Sequence, residues 1–220
     1  MKKRIGVLLS GCGVFDGAEI HESTLTLYFL DREGSEAVCF APDIEQHHVI
    51  NHLTSEETLE KRRILTEAAR ITRGKITSLT EISEDELDGL ILPGGVGAAK
   101  NLIDYALKGR ECMIHSDVKR IILDMVMAKK PVGAICIAPM VLAVALQDSP
   151  IHPTLTIGTD RQASDDITFF GAKHQNAQVN EIVIDEENKI VTTPAYMLGP
   201  GIADIAKGIE KLVRQIIDWI

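Results

Sequence analysis

Short apolar runs, rather than strict apolar–polar alternation, mark the strands this chain predicts. Residues 4–9, 37–40, Gly89–Leu92 and Val132–Ile135 are such runs. Strands of this kind belong in a parallel sheet covered on both faces. Stretches of helical spacing lie between them. A helix is expected from about Ala18 or Glu19 to Arg32, where Gly34 stops it. Thr54 and Glu57 form a capping-box pattern for a second helix reaching about Thr72, with Ile64, Leu65, Ala68 and Ile71 on one face. Ser83 and Glu86 repeat that pattern before Leu87. Val118, Ile121, Ile122 and Met125 predict a helix over 117–128, and another follows the 132–135 strand through Leu146. Further on, 155–157, 181–184 and Ile190–Thr193 read as short strands. A final amphipathic helix carries Ile202, Ile205, Ile209, Leu212, Val213, Ile216, Ile217 and Ile220 near a 3.6 period. Strands alternating with helices, with no linker or repeat, predict one α/β domain over 1–220 with a largely parallel sheet.

In such sheets ligands bind beyond the carboxyl ends of the strands. Three loops fall there: 10–17, 93–99 and the turn at Cys136. The Cys136 turn carries the most information. A buried strand stops at this cysteine and a helix follows at once, with the small residues Gly133, Ala134 and Ala138 around it. That is the pattern of a nucleophile elbow, with a thiol in place of the usual hydroxyl. The elbow sets the Ile137 N–H and a helix N-terminus beside the sulfur, which favours a thiolate and a lowered pKa. A buried structural cysteine is the plainer alternative. Gly95, in the Pro93-Gly94-Gly95 loop, and Ile137 are candidate oxyanion donors. Glu19 and Glu22 are three apart at a helix start, so they share a face. Either carboxyl can exchange a proton with Cys136, or both can simply oppose the helix dipole. Cys12, in the first loop, is either a small turn residue or a second thiol able to resolve an oxidised Cys136.

Composition narrows the function classes. Twenty-three basic against 32 acidic residues give a net charge of −9, which argues against a nucleic-acid or anionic-membrane partner. No stretch approaches the ~18 apolar residues of a membrane-spanning helix. The start, Met1 to Cys12, has the outline of a lipoprotein leader, but its apolar run is too short, and a first strand with a Gly-rich turn fits better. Four cysteines without metal-like spacing suit a reduced, cytoplasmic setting. His47, His48 and His52 cluster, yet a solvated segment accounts for them better than a metal site does. The glycine loops match neither the phosphate-binding nor the dinucleotide fingerprint.

The helix glutamate Glu22, the Pro93-Gly94-Gly95 loop and the Ala134-Ile135-Cys136 elbow together resemble the PfpI/deglycase branch of the class I glutamine-amidotransferase-like superfamily. Within it, segments 10–22, 39–43, 51–54, 68–74, 97–102, 155–160 and 192–197 resemble the enhancing-lycopene-biosynthesis (ElbB) family, a glyoxalase-like group. The resemblance implies a flavodoxin-like three-layer α/β/α sandwich, a homodimer and a site that needs no cofactor. It implies a small aldehyde substrate, with glyoxal converted to glycolate at low efficiency by a Cys136 nucleophile beside Glu22. One departure stands out. Amidotransferases of the superfamily carry a His-x-Glu pair near the chain end, and protease-like members a histidine directly after the cysteine. Here those places hold Pro194-Ala195-Tyr196-Met197 and Ile137. A redox sensor or scaffold without turnover is therefore the alternative.

Overall fold

The structure is a computed structural model that describes residues 2–220. In chain order its elements are β1 (Arg4–Leu8), α1 (Ile20–Arg32), β2 (Glu36–Ala41), β3 (Ile50–Asn51), β4 (Glu56–Glu57), α2 (Ile64–Ile71), β5 (Thr77–Ser78) and β6 (Gly89–Leu92). After these come α3 (Tyr105–Lys108), α4 (Ser116–Met127), β7 (Val132–Ile135), α5 (Ala138–Leu146), β8 (Thr154–Leu155) and α6 (Arg161–Phe169). The chain closes with β9 (Lys173–His174), β10 (Val183–Asp185), β11 (Ile190–Thr193) and α7 (Ile202–Asp218). Seven strands form the central sheet in the order β10-β11-β7-β6-β1-β2-β5. All neighbours run parallel except β10, which returns antiparallel to β11. This is the flavodoxin-like three-layer sandwich.

The apolar runs are buried on both sides because their residues alternate between two cores. Leu8, Leu90, Leu92, Val132 and Ala134 face a core shared with α4, α5 and α6. Ile5, Val7, Ile91 and Ile135 face the opposite core, shared with α1, α2 and α7. Gly133 allows β7 and α7 to approach closely, since a Cβ there would lie 2.7 Å from Leu212 of α7.

Three expectations need correction. No helix starts at Thr54. Residues 50–57 form the small β3–β4 hairpin, Ser55 at its turn has φ +61°, and α2 begins only at Ile64. The reason is burial: Leu53 and Leu59 are fully exposed, so 53–62 has no apolar face to dock a helix. The 155–157 strand is shorter than expected and lies outside the central sheet, as β8 paired with β9. Helix α6 was not predicted, because only Ala163, Asp166 and Ile167 face inward along it. Its signal is the N-cap, Asp160, whose carboxylate accepts the Ala163 N–H at 2.7 Å. The Ser83–Glu86 capping box does form, on a single 3-10 turn at 84–86.

Candidate active site

Strand β7 ends one residue before Cys136, whose N–H still donates to Thr193 O of β11 at 2.9 Å. The backbone then reverses: Cys136 has φ +62° and α5 starts two residues later. A non-glycine residue in the left-handed region is uncommon and costs about 1–3 kcal/mol, so the surrounding pairing must hold it there. The N–H groups of Gly95 and Ile137 hydrogen-bond the sulfur, and the side chain is 7% exposed.

Glu22 meets the same sulfur from α1. Its carboxyl is fully buried and hydrogen-bonds Cys136, and it also accepts Gly94 N–H at 2.9 Å and Tyr196 N–H at 3.3 Å. Burial first, then the neighbouring Glu19, push the Glu22 pKa up from 4.5 to about 8, against the backbone donors that favour the charged form. The Cys136 thiol is likewise raised well above 9, by burial and then by Glu22, against the Gly95 and Ile137 N–H groups. The lowered thiol pKa expected from the helix terminus is thus overturned, because desolvation outweighs the dipole and the two N–H bonds. Two adjacent buried acids do not both ionise. The pair loses a single proton, which leaves either carboxylate with thiol or carboxylic acid with thiolate.

Glycine makes this approach possible. A Cβ at Gly94 would lie 2.5 Å from Cys136 Cβ and 2.7 Å from Glu22 Oε2. The predicted loops do converge: Glu19 N–H donates to Gly94 O at 2.9 Å, Val96 N–H to Val14 O at 2.8 Å and Gly97 N–H to Gly17 O at 3.0 Å. Glu19 is the N-cap of α1 rather than a residue of its first turn, and its carboxylate accepts Glu22 N–H at 2.7 Å. Cys12 does not line this site. Its charged neighbours are Glu67, Arg70 and Asp16, and burial followed by Glu67 raises its pKa.

A cleft of about 340 Å³ opens over the sulfur. Val14, Val96, Ala99, Ile137 and Met197 make its walls largely apolar, and Glu19 and Tyr196 also line it. Tyr196 lies in the loop after β11, a fourth strand that ends at this edge, and its hydroxyl meets His21 Nδ1 at 2.8 Å. Sequence reasoning assigned neither Tyr196 nor His21 a place here. The available signal was the position of the Pro194–Met197 stretch just beyond an apolar strand. Histidines 47, 48 and 52 lie apart from this cleft, on the β3–β4 side. His48 Nε2 is 3.8 Å from Glu57 there, and His52 Nε2 is 3.8 Å from Asp16.

No family model matches the chain. A curated human (Homo sapiens) relative, the mitochondrial glutamine amidotransferase-like class 1 domain-containing protein 3, is 40% identical over 225 residues, spanning 98% of this chain and 82% of its own length. The chain belongs to the class I glutamine amidotransferase-like superfamily. A solved structure of an isoprenoid biosynthesis protein with an amidotransferase-like domain from Ehrlichia chaffeensis superposes with a TM-score of 0.92 at 33% identity, covering 99% of this chain and 100% of that one. Drosophila melanogaster DJ-1β shares the fold at a TM-score of 0.60 and 21% identity, covering 100% and 96% of the two chains. The cytoplasmic setting expected from cysteine usage is corrected. The curated relatives, the human protein among them, are named as mitochondrial. Reduced thiols and an acidic surface suit either compartment, so that argument did not separate them. Among the described residues no helix is long and apolar enough to cross a membrane.

Proposed function

We propose that this protein is an ElbB-type, glyoxalase-like enzyme that converts glyoxal and water to glycolate, without a cofactor, through Cys136. One observation carries the reading: Cys136 is held at a left-handed φ with the proton-bearing carboxyl of Glu22 against its sulfur. Once the pair has lost one proton, sulfur attacks an aldehyde carbon while the remaining proton sits on Glu22. The C=O π pair moves to oxygen, and the Gly95 and Ile137 N–H groups, which hold the sulfur at rest, receive the oxyanion. Glu22 protonates it, giving a hemithioacetal. Glu22 carboxylate then removes the hydrogen from the sulfur-bearing carbon and returns it to the neighbouring carbon, while the hydroxyl proton on the sulfur-bearing carbon passes to the neighbouring carbonyl oxygen. The product is a glycolyl thioester, which water cleaves to glycolate and the free thiol. Fold membership supports this, since the DJ-1/PfpI group includes glyoxalase and deglycase enzymes.

Wild type incubated with glyoxal is expected to accumulate glycolate, measured by proton NMR, and Cys136→Ser to lose that turnover at least 100-fold. Equal rates for the two proteins would remove Cys136 as nucleophile. The redox-sensor reading draws on the same cradle, because a protonated carboxyl and two N–H donors also suit an oxidised sulfur. Intact-mass analysis after mild peroxide separates the readings: a sensor gains oxygen at Cys136 at low dose and shows no glycolate production.

A further inference from the structure

The cleft over Cys136 is much larger than the small aldehyde it is proposed to process. Its volume is about 340 Å³. A volume of that order is typical of pockets for ligands well above the four non-hydrogen atoms of glyoxal. Val14, Val96, Ala99, Ala106 and Met197 wall the extra space, and among the described residues no lysine, arginine or histidine lines it. The carboxyl-bearing side chain on that wall besides the catalytic pair is Glu19. Its Oε2 is occupied by Glu22 N–H, and its position is fixed by its own N–H donating to Gly94 O. An anionic ligand would leave water for a largely apolar wall that offers no cation to pair and sets a carboxylate beside it, which is costly. An apolar substituent would gain about 25 cal/mol for each Å² it removes from water.

We infer that the site selects uncharged 2-oxoaldehydes bearing an apolar group of roughly phenyl size, and that Glu19 excludes anionic ones. This rests on the glyoxalase reading for the chemistry, but not for the shape or the charge of the cleft. For phenylglyoxal the bond changes follow the same course. Sulfur adds to the aldehyde carbon, the hydrogen on that carbon moves to the former ketone carbon and the hydroxyl proton to the former ketone oxygen, and water cleaves the thioester to mandelate and thiol. No outside oxidant or reductant is needed.

Two measurements on the full-length protein test this separately from the reaction. In the first, Cys136 is alkylated by iodoacetamide, iodoacetate and N-benzyl iodoacetamide. Peptide mapping locates the adduct, and each rate is divided by that of N-acetylcysteine at the same pH. The N-benzyl reagent is expected to exceed iodoacetamide by about tenfold and iodoacetate to fall below it by about tenfold, or about 1.4 kcal/mol each way. Glu19→Gln, which keeps an acceptor for Glu22 N–H, is expected to bring the iodoacetate-to-iodoacetamide ratio most of the way back to that of N-acetylcysteine. Equal or reversed ratios overturn the inference, and an unchanged iodoacetate ratio in Glu19→Gln overturns the role of Glu19. In the second, kcat/KM for phenylglyoxal is expected to exceed that for glyoxal, and that for the anionic 4-carboxyphenylglyoxal, at least tenfold each. A preference for glyoxal overturns the proposed substrate class. Failure to turn over any aldehyde, with the alkylation order intact, sinks the glyoxalase reading and leaves the selectivity of the cleft standing.

Discussion

Glu22 and Cys136 share one titration, and its direction is testable. Below about pH 8 the Glu22 carboxyl keeps its proton, and the sulfur becomes nucleophilic as the pair loses one. The rate of Cys136 alkylation should therefore climb with pH through about 8 and then level off. In Glu22→Gln the carboxyl that gives up the first proton is gone, and burial, the larger cause, still holds the thiol above its ordinary value, so the midpoint should move up. Stability carries the same signature. Glu22 binds its proton more tightly folded than unfolded, so its contribution is complete below about 4.5 and is lost as pH rises through about 8. The raised Cys136 pKa acts in the same sense at higher pH. Calorimetry at pH 5 and pH 9 should show the wild-type Tm falling more than that of Glu22→Gln. A parallel fall in both proteins would mean that Glu22 does not titrate there. Gly94 gives a steric counterpart. Its α-hydrogen faces Cys136 Cβ, so Gly94→Ala forces the two acids apart and should cost about 1–3 kcal/mol in urea unfolding, with loss of glycolate production.

At the scale of elements, the parts of the site that were legible in the sequence are those carried by buried strands. Gly89–Leu92 and Val132–Ile135 match β6 and β7 residue for residue, so the Gly94–Gly95 loop and Cys136 fall where an apolar run must stop. The segments that escaped are held by polar contacts rather than by periodic apolar faces. Helix α6 is the clearest case. Buried Asp166 on it accepts from Tyr105 hydroxyl and Arg110 Nε, both at 2.5 Å, and Tyr105 lines the cleft. Burial and Asp166 raise the Tyr105 pKa strongly. Three residues scattered over 61 positions leave no local pattern to read. Replacing Asp166 with Ala should cost about 2 kcal/mol, mostly through the stranded Tyr105 hydroxyl, because half-exposed Arg110 is solvated by water. Tyr105→Phe should cost less, since one half-buried oxygen is removed rather than abandoned. A larger loss in Tyr105→Phe than in Asp166→Ala, measured by chemical denaturation, would contradict this account. The capping-box misreading at Thr54 has the converse cause: the local pattern was present, but no core lay behind it.

For the whole molecule we expect a homodimer, with light scattering at micromolar concentration giving about twice the 24.1 kDa chain mass, the commonest closed symmetry. A mass of one chain at every concentration would reject it. The chain end is not the expected contact. Trp219 packs on its own core and its Nε1–H donates to Glu186 Oε2 at 3.0 Å, so removing Trp219 and Ile220 should leave the mass unchanged. The site itself draws on four strands of one sheet. Glu22 reaches Gly94 across 72 positions and Tyr196 across 174. Such distant contacts close late, after loop entropy has been overcome. The thiol is therefore unremarkable while the chain is being made and acquires its guarded chemistry only when the last strand docks. In a compartment rich in electrophiles, the hazardous interval is synthesis and refolding, not service. A short pulse of alkylating agent during refolding would leave a permanent tag on every molecule caught before closure, and the fraction tagged would time the arrival of β11.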